Sequence, residues 1–451
     1  MGAEIARWSV TEFRARIAAR DISCVEAIRA CLSALDAQGP ALNCLARLEA
    51  DAALTQAAAC DARQTAFGVP MAHKDMFARS GWKQECGSRA MRGYVATRTA
   101  TALTKLDAAG AIDLGRLAMG EFAIGASGHN NYLGTPRNPW HREHLAGGTS
   151  GGPAAAVAAR LIPAALASDT GGSTRLPAAF CGIAGFKPSF GMIDTDGMFA
   201  CSPTLDHVGI MARDAADIAQ VFAALTGIEP PRPRDLRGTR VGIHRRYFLD
   251  GCAGDVLASF ETALRLLESE GATLIEIDAP DIDAANPLAG LIIMVEAASH
   301  HRRRLTERAQ DYLPETRARL ATGFVYTGAE YRTALAARVH LLRRLGAHVF
   351  AHVDYLATPA APRAAPRIDG ADLPGGSGFA GFVGPIGQCA RLFNMTGLPA
   401  IAVPFGFAAN GMPLSIQFVA RPEADAALLA FAAAFEAARG PYPTPDDRRP
   451  R

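Results

Sequence analysis

Apolar and polar positions along the chain shift between a helical and an extended rhythm. After Ser23 the apolar residues Val25, Ile28, Leu32 and Leu35 recur at helical spacing, and Ser23 with Glu26 three residues later forms a capping box that starts the helix. Residues 45–62 are alanine-rich and also read as helix. From about 67 to 208 glycine breaks the rhythm repeatedly. Beyond that block the pattern alternates: 240–244 reads as a buried strand, 255–268 as a helix with Val256, Phe260, Leu264 and Leu267 on one face, and 273–277 as another strand. Residues 330–349 read as a long helix, 358–385 as a Pro- and Gly-rich loop over a site, 400–404 and 414–419 as strands, and 425–437 as a final helix. The tail 440–451, with four prolines, reads as loosely held. Strands alternating with helices imply an α/β fold with a mixed or parallel sheet. No repeat and no clean linker divides the chain, so one large domain is expected. Its parts are a helical segment 1–65, a chemical core 66–217, and 218–451 completing sheet and pocket.

Composition narrows the function classes. The 451 residues carry 46 Lys+Arg against 44 Asp+Glu, a net charge of +2 that gives no electrostatic drive toward nucleic acid. With 49% hydrophobic and 20% charged residues the chain can bury a large core. Glu4, Arg7, Glu12 and Arg14 break any signal-peptide core, and the apolar run 288–295 is short for a membrane span and ends at Glu296. The nine cysteines are odd in number and scattered without a C-x-x-C pair, which argues against a disulfide framework and a zinc site and for buried thiols in a reducing cytoplasm. No metal or cofactor is expected. Only four of the basic residues are lysines: Lys74, Lys83, Lys105 and Lys187. A lysine inside a glycine-rich motif of so arginine-rich a chain is a candidate for work that arginine cannot do.

Three glycine-dense segments hold the candidate chemistry: Gly68-Val-Pro-Met-Ala-His73-Lys74-Asp75, Gly147-Gly148-Thr149-Ser150-Gly151-Gly152-Pro153, and Asp169-Thr170-Gly171-Gly172-Ser173-Thr174-Arg175. A phosphate loop would need Lys-Ser/Thr after its second glycine, and none is present. Gly148-Thr-Ser150-Gly-Gly152 satisfies G-x-S-x-G, but a polar loop precedes it where a nucleophile elbow needs a buried strand. Serine chemistry with a lysine base fits better. A serine hydroxyl needs a base to become a nucleophile, and a lysine supplies one when burial lowers its pKa toward 7. Gly171-Gly172 before Ser173 leaves backbone N–H groups open to a substrate carbonyl. The hydroxyls of Thr149 and Ser150 stand where either could relay a proton between lysine and serine.

These residues resemble the amidase signature family. The likeness is dense from 67 to 217 and includes Met119-Gly-Glu121-Phe122, Thr135-Pro-Arg-Asn138-Pro139-Trp140, Gly185-Phe-Lys187-Pro188 and Leu205-Asp206-His207-Val208-Gly209. It returns at Thr396-Gly-Leu-Pro399 and Gly411-Met-Pro413-Leu-Ser-Ile-Gln417 and is weakest near 218–355. The resemblance implies the amidase signature fold, α/β with a mixed central sheet surrounded by helices, and a Ser–Ser–Lys triad whose middle residue follows a cis peptide bond. Carried over by position, Ser173 would be the acyl-enzyme nucleophile, Lys74 the neutral base and Thr149 the relay, with the cis bond between Gly148 and Thr149. The N–H groups of Thr170, Gly171, Gly172 and Ser173 would form the oxyanion hole, and Asp169 and Arg175 would hold the loop. The chain departs from the pattern at Thr149, usually serine, at Pro153, usually a small residue, and at His73, usually aliphatic.

The resemblance also implies an amidase acting on linear amides or other non-peptide C–N bonds, without cofactor. A small uncharged amide or carbamate is the expected substrate, with Phe122, Ile124, Gly125 and Trp140 as pocket candidates and 375–382 as an apolar entrance. The alternatives are an A-type amidotransferase subunit feeding ammonia to a partner, a ureido- or biuret-type hydrolase, and a non-catalytic ligand cradle. The expected state is a cytoplasmic monomer or homodimer with neither nucleic acid nor membrane as partner.

Overall fold

The helix announced by Ser23 spans Cys24–Leu42, with both halves of the capping box made and Ile28, Leu32 and Leu35 buried. The structure, a computed structural model, describes residues 2–64, 67–229, 235–370 and 378–448. Residues 45–62 are not one helix. Leu45–Leu48 form an edge strand, and the helix Ala50–Arg63 begins only after it. Four residues are too few for periodicity to separate strand from helix, and pairing along a sheet edge decides it.

Eleven strands among the described residues form one sheet. In chain order they are β1 Leu45–Leu48, β2 Pro70–Lys74, β3 Ile112–Leu117, β4 Ala164–Ser168, β5 Ala184–Lys187, β6 Val208–Ala212, β7 Arg240–Ile243, β8 Thr273–Glu276, β9 Tyr355–Pro359, β10 Ala400–Phe407 and β11 Pro413–Ala420. Their spatial order is β1-β3-β2-β4-β6-β5-β10-β11-β9-β7-β8. β3, β2 and β4 run parallel, as do β9, β7 and β8, while β6, β5, β10 and β11 between them pair antiparallel. The sheet is therefore mixed. β2, β3 and β4 are buried along their whole length, as expected of strands covered by helices on both faces.

Other expectations map closely: the helix Gly254–Ser269 buries Val256, Phe260, Leu264 and Leu267, and Gly328–Leu345 and Asp425–Arg439 are helices. The 358–385 loop is a misreading at both ends. Thr358 and Pro359 belong to β9, and Gly378–Met395 is a helix. Its glycines and proline read as loop, but Ile386, Cys389, Leu392 and Phe393 are buried, and packing against the helix Ala285–Arg308 overrides propensity. Of the expected entrance 375–382, residues 375–377 lie outside the described residues and the rest open that helix. The apolar run 288–295 lies inside Ala285–Arg308; Ile282–Asp311 is long and apolar enough to cross a membrane by those measures alone, yet Ala289, Ile292, Ile293 and Ala297 are buried like a core face. The tail is held as far as it is described: Tyr442 stacks on Phe407 and donates to Gly406 O at 2.8 Å, and Asp446 pairs with Arg7.

Candidate active site

Lys74 is the last residue of β2 and Ser168 the last of β4, and these strands are parallel neighbours. Both side chains therefore emerge at the carboxyl edge of the sheet, where α/β folds place their ligands. Lys74 Nζ donates to Thr149 Oγ1 at 2.8 Å and to Ser168 Oγ at 2.8 Å. The lysine is fully buried, and that burial pushes its pKa down to about 7; the nearby Cys201, Asp206, Asp169 and Cys86 oppose the shift only in part. Ser168 was not singled out in the sequence. A serine before an aspartate carries no signal by itself, and only the strand register brings it to the lysine.

The turn that presents Thr149 needs glycine. Gly147 and Gly148 have φ of +86° and +54°, and a Cβ on Gly148 would stand 2.7 Å from Pro177 Cδ. Every described peptide bond is trans, so the cis bond expected between Gly148 and Thr149 is absent, and the two left-handed glycines make the turn instead. Thr149 and Ser150 are both buried, but they face different partners. Ser150 Oγ donates weakly to Ser168 O at 3.4 Å, whereas Thr149 meets the lysine. Pro153 is the third residue of the helix Gly151–Ala158, where a missing N–H costs no intrahelical bond. His73 is buried behind the lysine, with Nδ1 3.1 Å from Lys74 O and Nε2 3.3 Å from Asp113 Oδ2.

The loop from β4 to the helix Arg175–Cys181 is held by one buried ion pair. Asp169 Oδ2 accepts from Arg175 Nε at 3.0 Å and Oδ1 from its terminal nitrogen at 2.9 Å. Burial alone would raise the Asp169 pKa, but the guanidinium overrides it and holds the carboxyl well below the usual range. The same carboxylate accepts the Gly172 N–H at 2.8 Å and the Asn394 amide at 2.8 Å, and Arg175 also reaches Gln417 at 2.8 Å. The Gly172 N–H is thus engaged inside the loop. The N–H groups of Thr170, Gly171 and Ser173 have no acceptor among the described residues. Thr170 Oγ1 donates to Asp206 at 2.6 Å, and burial pushes the Asp206 carboxyl up to about 7.

A cavity of about 290 Å³ opens over this loop, lined by Thr170, Gly171, Gly172 and Ser173. Ile124 and Gly125 line it as expected. Phe122 and Trp140 do not. Phe122 is fully buried among Phe199, His301 and Tyr312, and Trp140 packs against Phe407 and Tyr442 with its indole N–H on Cys181 O. Phe122 is core, and Trp140 packs half-buried against a core cluster. Two arginines that sequence reasoning missed, Arg319 and Arg391, also line the cavity.

The amidase family model matches residues 26–429. The chain belongs to the amidase family. Its relatives include the A-type subunit of the glutamyl-tRNA(Gln) amidotransferase of Neisseria meningitidis serogroup C, 36% identical over 91% of this chain and 93% of that protein. Among solved structures, an amidase superposes with a TM-score of 0.89 at 28% identity, over 96% of this chain and all of the other. A chain from an inhibitor-bound complex of an s-triazine catabolic enzyme superposes with a TM-score of 0.85 at 28% identity, over 95% and 98% of the two chains. The family is one of hydrolases acting on C–N bonds, and its α/β mixed sheet is the one described above.

Proposed function

We propose that this chain cleaves the C–N bond of a small amide through an acyl-enzyme on Ser173, with Lys74 as general base and Thr149 as proton relay. The observation that carries this reading is a fully buried lysine, pushed to a pKa of about 7, standing 2.8 Å from Thr149 Oγ1 beside the cavity that Ser173 lines. A lysine poised near neutrality can accept a proton and return it, which an arginine cannot. Neutral Lys74 takes the Thr149 proton while Thr149 takes that of Ser173. Ser173 Oγ then bonds to the amide carbon, and the carbonyl oxygen becomes an oxyanion facing the N–H groups of Thr170, Gly171 and Ser173. The proton returns through Thr149 to the leaving nitrogen as the C–N bond breaks. Water, deprotonated by the same route, releases the acid and restores Ser173. Ser168 holds the lysine in place, and Asp169 with Arg175 keeps the loop in shape.

The curated relatives favour one setting for this chemistry: an A-type amidotransferase subunit that frees ammonia for a partner, rather than a free-standing amidase or carbamate hydrolase. The likeness to the s-triazine enzyme supports a second reading, a ureido- or biuret-type hydrolase. Ammonia release from glutamine, linear carboxamides, carbamates and biuret separates these. Glutamine turnover that Ser173→Ala abolishes supports the amidotransferase reading. Turnover of carbamate or biuret without glutamine replaces it, and activity that survives Ser173→Ala overturns the mechanism.

A further inference from the structure

Arg391 lies on the helix Gly378–Met395 and reaches into the cavity through a slot made by three glycines from three elements. A Cβ on Gly171, in the Ser173 loop, would stand 3.3 Å from Arg391 Cγ and 3.5 Å from Nε. One on Gly387 would stand 3.1 Å from Cδ and Cζ, and one on Gly290, in the helix Ala285–Arg308, 3.3 Å from a terminal nitrogen. Side chains at these positions would crowd Arg391, so the three glycines leave it room.

Among the described residues the guanidinium so seated lacks a counter-ion. Its hydrogen bond goes to a neutral acceptor, Asn286 Oδ1 at 2.9 Å. The other group that senses its charge, the buried Tyr247 phenol, is itself pushed far toward its neutral form by burial. Among the described residues no carboxylate pairs with Arg391 and none lines the cavity. Three other arginines of the interior are paired with carboxylates: Arg175 has Asp169, Arg116 has Asp75 and Glu49, and Arg79 has Asp107 and Asp113. A guanidinium stays protonated even when burial disfavours its charge, and its fork of donors matches a carboxylate. Arg319, which donates to Ile124 O, lines the same cavity at its Ile124–Gly125 wall.

We propose that Arg391 is a specificity-determining residue that binds a carboxylate of the substrate, so that the site takes amides whose acyl half is itself an anion. This rests on the Ser173 acyl-enzyme reading and replaces the uncharged amide expected from the sequence. Because Arg391 packs on Gly171, beside Ser173, the carboxylate sits a short acyl chain away from the scissile carbonyl. Binding delivers a counter-ion that none of the described residues supplies. It also orients the acyl group, so the anion is felt in attack as well as in affinity.

The test compares succinamate and glutaramate with their uncharged methyl esters as amide substrates, by ammonia release, in wild type, Arg391→Gln and Arg391→Lys. The wild type is expected to favour the anions in kcat/KM by about 10- to 100-fold, the worth of a charge-assisted hydrogen bond. That preference should collapse in Arg391→Gln and return in part in Arg391→Lys. Succinate and glutarate should also slow labelling of wild-type Ser173 by a neutral fluorophosphonate, whereas succinamide should not, a readout that needs no variant. Equal use of esters and anions by the wild type, no protection by the dicarboxylates, or an unchanged preference in Arg391→Gln would each overturn the proposal. If the fluorophosphonate labels Ser173 while the anions are ignored, only this inference fails. If Ser173 is not labelled at all, the acyl-enzyme reading fails with it.

Discussion

Arginine at position 74 would keep the charge and lose the base, and much of the account turns on that difference. Burial sets the lysine pKa near 7, well below its ordinary 10.5, so the base is protonated and idle on the acid side. kcat/KM should therefore fall about tenfold per pH unit below about 7. Asp206, also pushed up to about 7, could mimic that limb, so the limb should persist in Asp206→Asn. The same shift makes folding less favourable as pH falls from above 10 to 7, because the unfolded lysine binds a proton that the folded one does not. Thr149→Ala should lower kcat by about 100-fold or more, a typical general acid–base contribution, while Ser150→Ala should cost far less, because only Thr149 reaches the lysine. Lys74, Thr149 and Ser173 could be singled out in the sequence because each sits in a glycine-dense segment, and the structure brings Lys74 to Thr149 and Ser173 to the cavity. Ser168 and Arg391 were not. Each gains its proposed role only through a neighbour that the fold supplies, β2 for one and the Gly171 loop for the other.

The strand–loop–helix unit from β4 to Cys181 shows what an element contributes beyond its residues. Asp169 and Arg175 are fully buried, so removing one partner strands a charge in the interior. Arg175→Met should cost about 3–5 kcal/mol in urea unfolding, the range for a broken buried pair, and should release the Gly172 N–H from its anchor. Stability within about 1 kcal/mol of wild type would show that the pair is not what shapes the loop. Long amphipathic helices were readable at this scale, as Gly254–Ser269 shows. The helix Gly378–Met395 was not, because its glycines and proline disfavour helix locally and only tertiary packing selects it. The four-residue β1 was equally opaque: its backbone pairing with β3, and not a pattern of its own, makes it a strand.

At the scale of the whole molecule the sequence implied a mixed sheet but not its order. The joint is β5 with β10, which pairs residues more than 200 positions apart and seats Gln417 of β11 on Arg175. Such contacts leave no periodic trace in the chain. A fragment ending at residue 229 keeps β1–β6 but loses β10 and the Arg175 partners Asn394 and Gln417. It should show no cooperative thermal transition by circular dichroism, and a sharp transition would mean that 1–229 is a domain in its own right. Over the entire fold, the central claim is that a neutral buried lysine activates Ser173. The most direct measurement is the rate and location of fluorophosphonate labelling at pH 8, by intact mass and peptide mapping, in wild type and Lys74→Arg. One adduct on Ser173, formed about 100-fold or more slowly in Lys74→Arg, is the predicted result. An adduct on another residue, or labelling of Lys74→Arg at the wild-type rate, would contradict it.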